Sequence, residues 1–295
     1  LLGAFDHRHV FIDPDPDAEA SWAERKRLFD LPRSSWADYD PALISKGGGV
    51  FPRTAKSIPV SPEMKARFAI EADAMTPNEL IRALLRAPVD LLYLGGIGTY
   101  VKGSEESNAE VGDRANDANR VDGGEVRARV VGEGANLGWT QRGRIEYALK
   151  GGRINTDFID NSGGVDTSDH EVNIKILLNK AIDDGELTRK QRDALLADMT
   201  GEVARLVLRH NFLQGQAISL TQAEAAARLG EHVQLIRNLE RSGRLNRAVE
   251  FLPDDETIAR REAEGLGLTR PEIAVLLSYA KIALNQELLA SDFPD

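Results

Sequence analysis

The pattern of hydrophobic and polar residues divides the chain into a mixed α/β part and a helical part. Three apolar segments, at residues 89–94, 126–131 and 153–158, each run into a turn rich in glycine or asparagine, and helical segments separate them, one of them a polar helix over residues 108–119. A capping box at Thr76 opens a helix before the first of them, and residues 31–60 are predicted to be irregular. Strands that alternate with helices are typical of a parallel sheet, whose strands bring their carboxyl ends to one edge. We therefore predict an α/β fold containing part of a Rossmann-like, doubly wound parallel sheet.

Beyond the third predicted strand, every signal is helical. Capping boxes are predicted at Thr188, Thr221 and Thr269, and apolar stripes at helical spacing follow them. No strand pattern is visible in this part of the sequence. We therefore predict two domains, an α/β domain over residues 1–165 and an all-helical C-terminal region over residues 166–295.

The polar segment after the third predicted strand is the most prominent candidate for a binding site. Residues 160–164 read DNSGG, and a helix is predicted from Ser168 to Lys180. Glycines allow a backbone to come close to a ligand. A helix that opens with residues 166–169 (DTSD) would present free N–H groups to a carboxylate or phosphate. An ordinary strand-to-helix turn with a good N-cap is the alternative interpretation.

Composition narrows the function classes. The 295 residues are 42% hydrophobic and 28% charged, as in a globular protein, and 37 Lys+Arg against 47 Asp+Glu give a net charge of -10. An acidic chain is a poor match for nucleic acid or an anionic membrane. The absence of cysteine excludes disulfides, thiolate metal sites and a cysteine nucleophile within these residues.

Location and metal binding are also constrained by the sequence. No apolar run approaches the roughly 20 residues of a membrane span, and we expect a cytoplasmic protein without membrane or nucleic-acid partners. His7 and His9 lack a third ligand, while His210 and His232 lie in amphipathic helices, so no metal site is predicted. Because the chain begins at Leu1 and not at methionine, we expect it to be a piece of a longer protein.

Seven phrases in the chain resemble one enzyme family, in the order that the family has them. They are AFDHRHVFIDPDPD, LPRSSWADYD, GGGVFPRTAKSIP, TPNELIRALL, PVDLLYLGGIGTYVK, RVVGEGANLGWTQRGRIEYA and GGRINTDFIDNSGGVDTSDHEVNIKI, and they cover most of residues 4–180. The segment NSGGVDTS resembles the Asn-x-Gly-Gly-Val-x-x-Ser motif of the glutamate dehydrogenase superfamily, and GEGAN resembles its Glu-Gly-Ala-Asn motif. The chain is similar specifically to the large bacterial NAD-dependent glutamate dehydrogenases.

The resemblance implies roles for residues around these two motifs. Ser168 matches the serine that hydrogen-bonds a substrate carboxylate. Asn136 is similar to the asparagine that contacts the nicotinamide ribose. Asn161, with Gly163 and Gly164, matches the segment that lies against the nicotinamide and the substrate. These roles agree with the needs of hydride transfer, which requires the substrate carbon to be held against the ring.

The resemblance also places part of the NAD site nearer the start of the chain. Asp6 fits the acidic residue that binds the adenine ribose, and Gly95 and Gly96 fit a strand end beneath the cofactor. A carboxylate at this position favours NAD over NADP, because it repels a 2′-phosphate. In these terms, residues 1–165 are the distal part of an NAD-binding domain.

Other family motifs are not found in this sequence. The family's lysines that bind and activate glutamate, its proton-shuttling aspartate and the glycine fingerprint of the first strand all belong upstream. No catalytic residue is therefore assigned within residues 1–295. We expect the chain alone to have little or no activity.

The expected function is NAD-dependent oxidative deamination of L-glutamate to 2-oxoglutarate and ammonia, as part of a longer enzyme that forms a homo-oligomer. Two alternatives remain open. One is an amino-acid dehydrogenase with an apolar substrate, and the other is a non-catalytic module in which the helical region serves assembly or regulation. Comparing activity with glutamate and with leucine distinguishes the two dehydrogenases. Nucleotide binding distinguishes both of them from the non-catalytic module, which is expected to bind no nucleotide.

Overall fold

The computed structural model describes residues 1–293, and the strands in this range are short. They are β1 (Gly3–Phe5), β2 (His9–Ile12), β3 (Gly49–Pro52), β4 (Ile58–Pro59), β5 (Ala74–Met75), β6 (Leu91–Leu94), β7 (Val101–Lys102), β8 (Val121–Asp122), β9 (Val130–Glu133) and β10 (Arg153–Ile154).

Helices make up most of the remaining regular structure. They are α1 (Ala18–Asp30), α2 (Pro62–Phe68), α3 (Pro77–Leu85), α4 (Asn108–Val111), α5 (Gln141–Leu149), α6 (Asp157–Asp160), α7 (Ser162–Asp183), α8 (Arg189–Asp198), α9 (Thr200–Ala223), α10 (Leu229–Arg241), α11 (Asp255–Ala263) and α12 (Arg270–Leu289). Among the described residues, no helix combines the length and the apolar character needed to cross a lipid bilayer.

The chain divides into two units by the density of its internal contacts. The first unit comprises Leu1–Val131 and Leu137–Gly152, and the second comprises Gly132–Asn136 and the chain from Arg153 onward. Residues Gly132–Asn136, from the end of β9 into the turn that follows it, therefore belong to the second unit, although the residues on either side of them belong to the first. The domain boundary predicted at residues 165 and 166 stays a prediction.

The first unit begins with an antiparallel sheet of three strands in the order β1-β2-β3. The middle strand is the most apolar, and its residues Val10, Phe11 and Ile12 are fully buried. The ring of Phe11 lies 4.7 Å from that of Tyr39 and 5.1 Å from that of Trp36. These aromatic contacts order part of the segment 31–60, which the sequence predicts to be irregular.

The strands predicted for the parallel sheet are present, but they are shorter or shifted. Strands β6, β9 and β10 lie in the order β10-β9-β6. The strand predicted at residues 126–131 runs instead from Val130 to Glu133, and the one predicted at residues 153–158 ends at Ile154. Residues Asp157–Asp160 form a helical turn there, and the carbonyl of Thr156 accepts hydrogen bonds from the N–H groups of Ile159 and Asp160.

Parallel pairing is also present within the first unit, where Val101 of β7 pairs with Val121 of β8. The coarse prediction, a mixed α/β structure followed by helices, is therefore confirmed. The doubly wound, Rossmann-like description stays a prediction.

Of two helix predictions in the first unit, one is confirmed and one is wrong. Thr76 and Glu79 form the predicted capping box, and α3 follows it with Pro77 in its first turn. The single helix predicted over residues 108–119 is wrong, because α4 ends at Gly112 in a left-handed conformation with φ 78°. A 3-10 helix over Arg114–Asn119 continues the chain. Glycine adopts this conformation without a Cβ clash and ends the helix.

From Asp157 to Leu289, every regular element of the second unit is a helix, and turns connect them. The capping boxes at Thr188 and Thr269 are confirmed. The box predicted at Thr221 is wrong, because Thr221 lies inside α9 and Glu224 follows the end of that helix. A Thr-x-x-Glu sequence inside a helix looks the same as one that opens it, and only packing distinguishes the two.

The core of the second unit lies mainly between α9 and the last three helices, α10, α11 and α12. Its fully or nearly fully buried residues include Ile218, Ile236, Ile273, Ala274 and Leu276. Helix α9 also packs against α7. On α7, by contrast, the apolar side chains Val172 and Ile176 of the predicted stripe are 53% and 64% exposed.

Candidate functional site

The turn that follows β9 is anchored at its base and exposed at its tip. The side chain of Glu133, the last residue of the strand, is completely buried. Its backbone N–H donates to Oδ2 of Asp160 over 2.9 Å. Three residues further on, Asn136 is exposed. A rigid base with an exposed amide at the tip is suited to presenting that amide to a ligand.

The residue after this turn has a strained backbone. Leu137 has a φ of 59°, in the left-handed region that residues with a Cβ rarely adopt. Its carbonyl accepts a hydrogen bond of 2.7 Å from the Thr99 hydroxyl, and its side chain is 64% exposed. Strain of this kind persists only where the surrounding contacts impose it, and it is concentrated at functional sites. Here it lies directly beside Asn136.

Asn136 contacts a second residue that the sequence singles out. Nδ2 of Asn161 donates to Oδ1 of Asn136 over 2.6 Å. Asn161 also ends α6 and precedes the first residue of α7, Ser162. The structure therefore places the GEGAN turn against the start of the NSGGVDTS segment.

The helix that carries this segment begins earlier than its sequence predicts. The helix predicted from Ser168 to Lys180 lies within α7, which runs from Ser162 to Asp183, so only the predicted opening at residues 166–169 is wrong. The backbone of Asn161, with φ -99° and ψ 15°, continues almost helically from α6, and packing against α9 outweighs the low helix propensity of the two glycines. The first turn of α7 is therefore formed by residues 162–164, and the N–H of Gly164 donates to the carbonyl of Asn161 over 3.4 Å.

Helical geometry sorts the residues of α7 onto two faces. Positions three and four apart share a face, so Asn161, Gly164 and Ser168 form one row. A Cβ added at Gly164 would meet no atom within 4 Å, and Ser168 is exposed. On the other face, a Cβ at Gly163 would lie 3.6 Å from Val207 of α9. Gly163 therefore faces the protein, whereas Gly164 faces open space.

This row has the chemistry to bind a nicotinamide and an amino acid. The two amides supply donors and acceptors suited to a carboxamide or a ribose hydroxyl, and the serine hydroxyl supplies a donor for a carboxylate. The position without a side chain at Gly164 leaves room for a flat ring against the backbone. Neither crowding nor a positive φ requires glycine there. The residues present thus fit the group that the resemblance implies.

A chain of hydrogen bonds supports the site from the C-terminal helices. Nε of Arg270, the first residue of α12, donates to Oδ1 of Asn155 over 2.5 Å. Nδ2 of Asn155 donates to Oδ1 of Asp160 over 2.6 Å. Since Asp160 also binds the backbone of Glu133, the chain runs from α12 to the base of the turn that carries Asn136.

Arg270 makes its other hydrogen bonds to neutral acceptors on α9. They are Oγ of Ser219 at 2.9 Å, Oε1 of Gln222 at 3.2 Å and the carbonyl of Gly215 at 3.3 Å. Burial lowers the pKa of its guanidinium from the ordinary value. Sequence analysis gave no role to Arg270 or Asn155, and it included Asp160 only as the first residue of the DNSGG segment. Their contacts join positions 115 and 5 residues apart, and no local motif signals them.

The predicted residues of the first unit lie at strand ends. Asp6 follows β1, and its Oδ1 accepts hydrogen bonds of 2.7 Å from the N–H groups of Arg8 and His9. It therefore closes the hairpin between β1 and β2, which run antiparallel. Both of these hydrogen bonds use Oδ1 of the Asp6 carboxylate.

Gly95 and Gly96 directly follow β6 and are exposed, at the carboxyl end of a strand as predicted. A Cβ at Gly96 would meet no atom within 4 Å, whereas one at Gly95 would lie 3.3 Å from the ring of Tyr93. Of the two glycines, Gly96 thus has the more open surroundings and leaves more room for a ligand.

Comparison with known proteins connects these elements to one family. Residues 1–221 match the family described as bacterial NAD-glutamate dehydrogenase, catalytic domain, and residues 265–295 match the family described as glutamate dehydrogenase, C-terminal. Proteins named NAD-specific glutamate dehydrogenase are 62% identical in Pseudomonas aeruginosa, 59% in Halomonas elongata and 53% in Mycobacterium tuberculosis. Each of these matches covers 100% of this chain and 18% of the relative. The chain therefore belongs to the bacterial NAD-glutamate dehydrogenase family, and most of it corresponds to part of that family's catalytic domain.

Proposed function

We propose that this chain is part of an enzyme that oxidatively deaminates L-glutamate to 2-oxoglutarate and ammonia with NAD. Membership of the family and the names of the three relatives support the proposal. The observation that carries it is the 2.6 Å hydrogen bond between Asn161 and Asn136, which joins the two segments that resemble nicotinamide-binding motifs.

The proposed roles of these residues follow from the row formed by Asn161, Gly164 and Ser168. When bound, NAD accepts the hydride that leaves the α-carbon of glutamate. Asn136 and Asn161 orient the nicotinamide end of the cofactor, and the backbone at Gly164 leaves it room, whereas Gly163 lets α7 pack closely against α9. Ser168 lies one turn beyond Gly164 on the same face and donates its hydroxyl to a substrate carboxylate. These groups hold the reactants, and positioning of this kind lowers the barrier to transfer.

Asp6, Gly95 and Gly96 are also proposed as cofactor-binding residues. The second oxygen of Asp6 remains for a ribose hydroxyl, since its hairpin contacts use Oδ1 alone. A carboxylate there favours NAD over NADP, because a 2′-phosphate would be repelled. Changing Asp6 to Asn is expected to reduce the preference of the longer enzyme for NAD, measured as the ratio of kcat/KM values for the two cofactors.

The groups that activate glutamate are proposed to lie outside residues 1–295. The catalytic lysines and the aspartate that the family resemblance implies have no match in this sequence. The chain spans 18% of the length of the relatives it matches. Residues 1–295 alone are therefore expected to show no glutamate turnover, and robust turnover by this piece would overturn this part of the proposal.

The enzyme is further proposed to be cytoplasmic and to assemble from identical subunits. Exposed apolar side chains on α9 support an assembly surface, since Leu208, Phe212 and Leu220 are 72%, 67% and 65% exposed. The mass of the full-length protein in solution, measured by light scattering during size-exclusion chromatography, tests the assembly. A mass equal to one subunit would contradict it.

The decisive experiment compares two neighbouring hydroxyls of α7 in the full-length protein. Ser168→Ala is expected to lower kcat/KM for glutamate by about 10- to 100-fold, the loss that follows when a buried substrate carboxylate loses a donor. Thr167→Ala is the matched control, because the Thr167 hydroxyl already donates to the carbonyl of Gly163 over 2.7 Å. This control variant should retain most of the activity.

The same assay separates the remaining functions. Equal turnover of leucine and glutamate by the wild-type protein would move the substrate to the apolar amino acids. If the full-length protein folded but failed to reduce NAD with every amino acid tested, an assembly module would be favoured. Equal activity of Ser168→Ala and wild type would remove the substrate role of Ser168 while leaving the family unchanged.

A further inference from the structure

A cluster of two histidines and one carboxylate lies between α7 and α9. Nδ1 of His210, on α9, is 2.9 Å from Oδ2 of Asp166, on α7. Nδ1 of His170, one turn beyond Asp166, is 3.2 Å from Oδ1 of the same carboxylate. The two imidazole rings face each other, with centroids 5.5 Å apart and planes inclined by 30°. One ligand atom from each of these residues lies within 4.8 Å of the others.

The sequence of α7 places this cluster away from the proposed glutamate site. Asp166 and His170 are four residues apart and share a face with Gly163, which packs against Val207 of α9. Ser168 lies two positions from each of them, about 200° around the helix at its 3.6-residue period. The cluster therefore occupies the face of α7 that meets α9, and the proposed substrate row occupies the opposite face.

We propose that Asp166, His170 and His210 form a binding site for a divalent transition-metal ion of the zinc type. Imidazole nitrogen and carboxylate oxygen are ligands that zinc accepts, and three protein ligands leave a fourth position for water. The three side chains are 24%, 23% and 44% exposed, so an ion can reach them from solvent while most of its shell is protein.

The hydrogen bonding of His170 supports this chemistry. Its Nδ1 lies 2.8 Å from the backbone carbonyl of Asp166. A carbonyl can only accept, so Nδ1 carries the proton and Nε2 keeps the lone pair with which a neutral histidine binds metal. A carbonyl bound to the other ring nitrogen is also the usual way in which a metal-binding histidine is oriented.

The ion would join two helices that come from distant parts of the sequence. His210 is 44 residues from Asp166, and it is the residue of the cluster that α9 supplies. A shared ion would clamp the first turns of α7 against α9, and so hold the helix that carries Gly164 and Ser168. The proposal replaces the sequence-based expectation that His210 belongs to no metal site, and it does not depend on the identity of the substrate.

Titration of the full-length, metal-stripped protein with Co²⁺ alone and with Zn²⁺ alone tests the site. Wild type is expected to bind one more equivalent of Zn²⁺ than His210→Ala, and to show the visible absorption of four-coordinate Co²⁺ with nitrogen and oxygen ligands. His170→Gln and Asp166→Asn should lower the affinity for that additional Zn²⁺ by more than about 10-fold, since losses of this size follow even from removing outer-shell partners. His7→Ala, a histidine of the first unit outside the cluster, is the control and should match wild type.

Thermal unfolding provides a readout that does not depend on activity. Zn²⁺ should raise the Tm of wild type and of His7→Ala, and leave that of His210→Ala unchanged. If His210→Ala fails to fold, the isosteric variant Asp166→Asn decides, because it keeps the shape of the side chain. Equal zinc stoichiometry and equal affinity in wild type and in the folded variants of the cluster would overturn the proposal.

Discussion

Asn161 donates to Asn136 over 2.6 Å, although 25 residues of sequence separate the two. Asn136 is at the tip of the turn after β9, and Asn161 is at the junction of α6 and α7. The contact holds two exposed amides side by side, and each still has donors or acceptors free for a ligand. The pair is therefore the centre of the proposed nicotinamide site.

The first prediction concerns the coupling of these two amides. In the full-length protein, Asn136→Ala and Asn161→Ala are each expected to lower kcat/KM for NAD by about 10-fold, as for the loss of a hydrogen bond in a binding site. The double variant should lose less than the product of the two, because each single change already removes the shared contact. Strictly multiplicative losses would show that the two residues act independently.

The second prediction is that one substitution at Gly164 raises the stability of the chain and weakens NAD binding. An added Cβ meets no atom there, so Gly164→Ala should stabilise residues 1–295 by up to about 1 kcal/mol through helix propensity. The same Cβ should weaken NAD binding by the full-length protein, because it occupies the space proposed for the ring. Gly201→Ala is the matched control, since Gly201 is near the start of α9 and its Cβ also meets nothing within 4 Å. Urea denaturation and fluorescence titration measure the two effects.

The third prediction treats Arg270 as a positioning residue. Arg270→Ala should break the hydrogen-bond chain through Asn155 and Asp160, and so loosen the turn that carries Asn136. We expect a rise in KM for NAD with a smaller change in kcat, and partial recovery in Arg270→Lys, which keeps the charge but not the planar fork. Arg237→Ala, at a half-exposed arginine on α10, is the control. If Arg270→Ala and Arg237→Ala changed kcat and KM by the same factors, the effect would be a general structural defect and not a loss of positioning.

The fourth prediction concerns a buried ion pair in the helical unit. Arg261 donates to both oxygens of Glu272, at 2.7 and 3.0 Å, and the side chains are only 6% and 1% exposed. Glu272→Gln leaves the arginine charge buried without a counter-charge, and should lower the free energy of unfolding by about 3–5 kcal/mol. Glu231→Gln breaks an exposed pair with Arg228 and should change it little. Chemical denaturation of residues 1–295 measures both, and similar losses would contradict the prediction.

The fifth prediction concerns pH. Burial, followed by the nearby charge of Arg228, lowers the pKa of His232 from its ordinary value of 6.5. The unfolded chain therefore binds a proton at a higher pH than the folded chain does. The stability that His232 contributes is complete above pH 6.5 and is lost as the pH falls towards the folded pKa.

His232→Gln tests this sign. The free energy of unfolding should fall more steeply in wild type than in His232→Gln between about pH 7.5 and about pH 5.5. The exposed residue His7 provides the control substitution, His7→Gln, whose profile should parallel that of wild type. Parallel profiles for wild type and His232→Gln would show that the histidine does not change its proton affinity on folding.

Much of the chain's local structure follows from its sequence. The capping boxes at Thr76, Thr188 and Thr269 predict where α3, α8 and α12 begin, because a side-chain cap needs only residues three positions apart. Alternation of apolar segments with helical ones predicts the mixed α/β part and the helical part. Seven phrases in their expected order, among them those that contain NSGGVDTS and GEGAN, carry the resemblance to the family.

Tertiary structure decided how these local pieces are used. The start of α7 at Ser162 depends on its packing against α9, which overrides two glycines that by themselves disfavour a helix. The pairing of Asn136 with Asn161, and the bond from Arg270 to Asn155 across 115 residues, depend on distant chain segments meeting in space. Local sequence carries information about caps and periodicity, whereas contacts between remote residues are determined only when the whole unit packs.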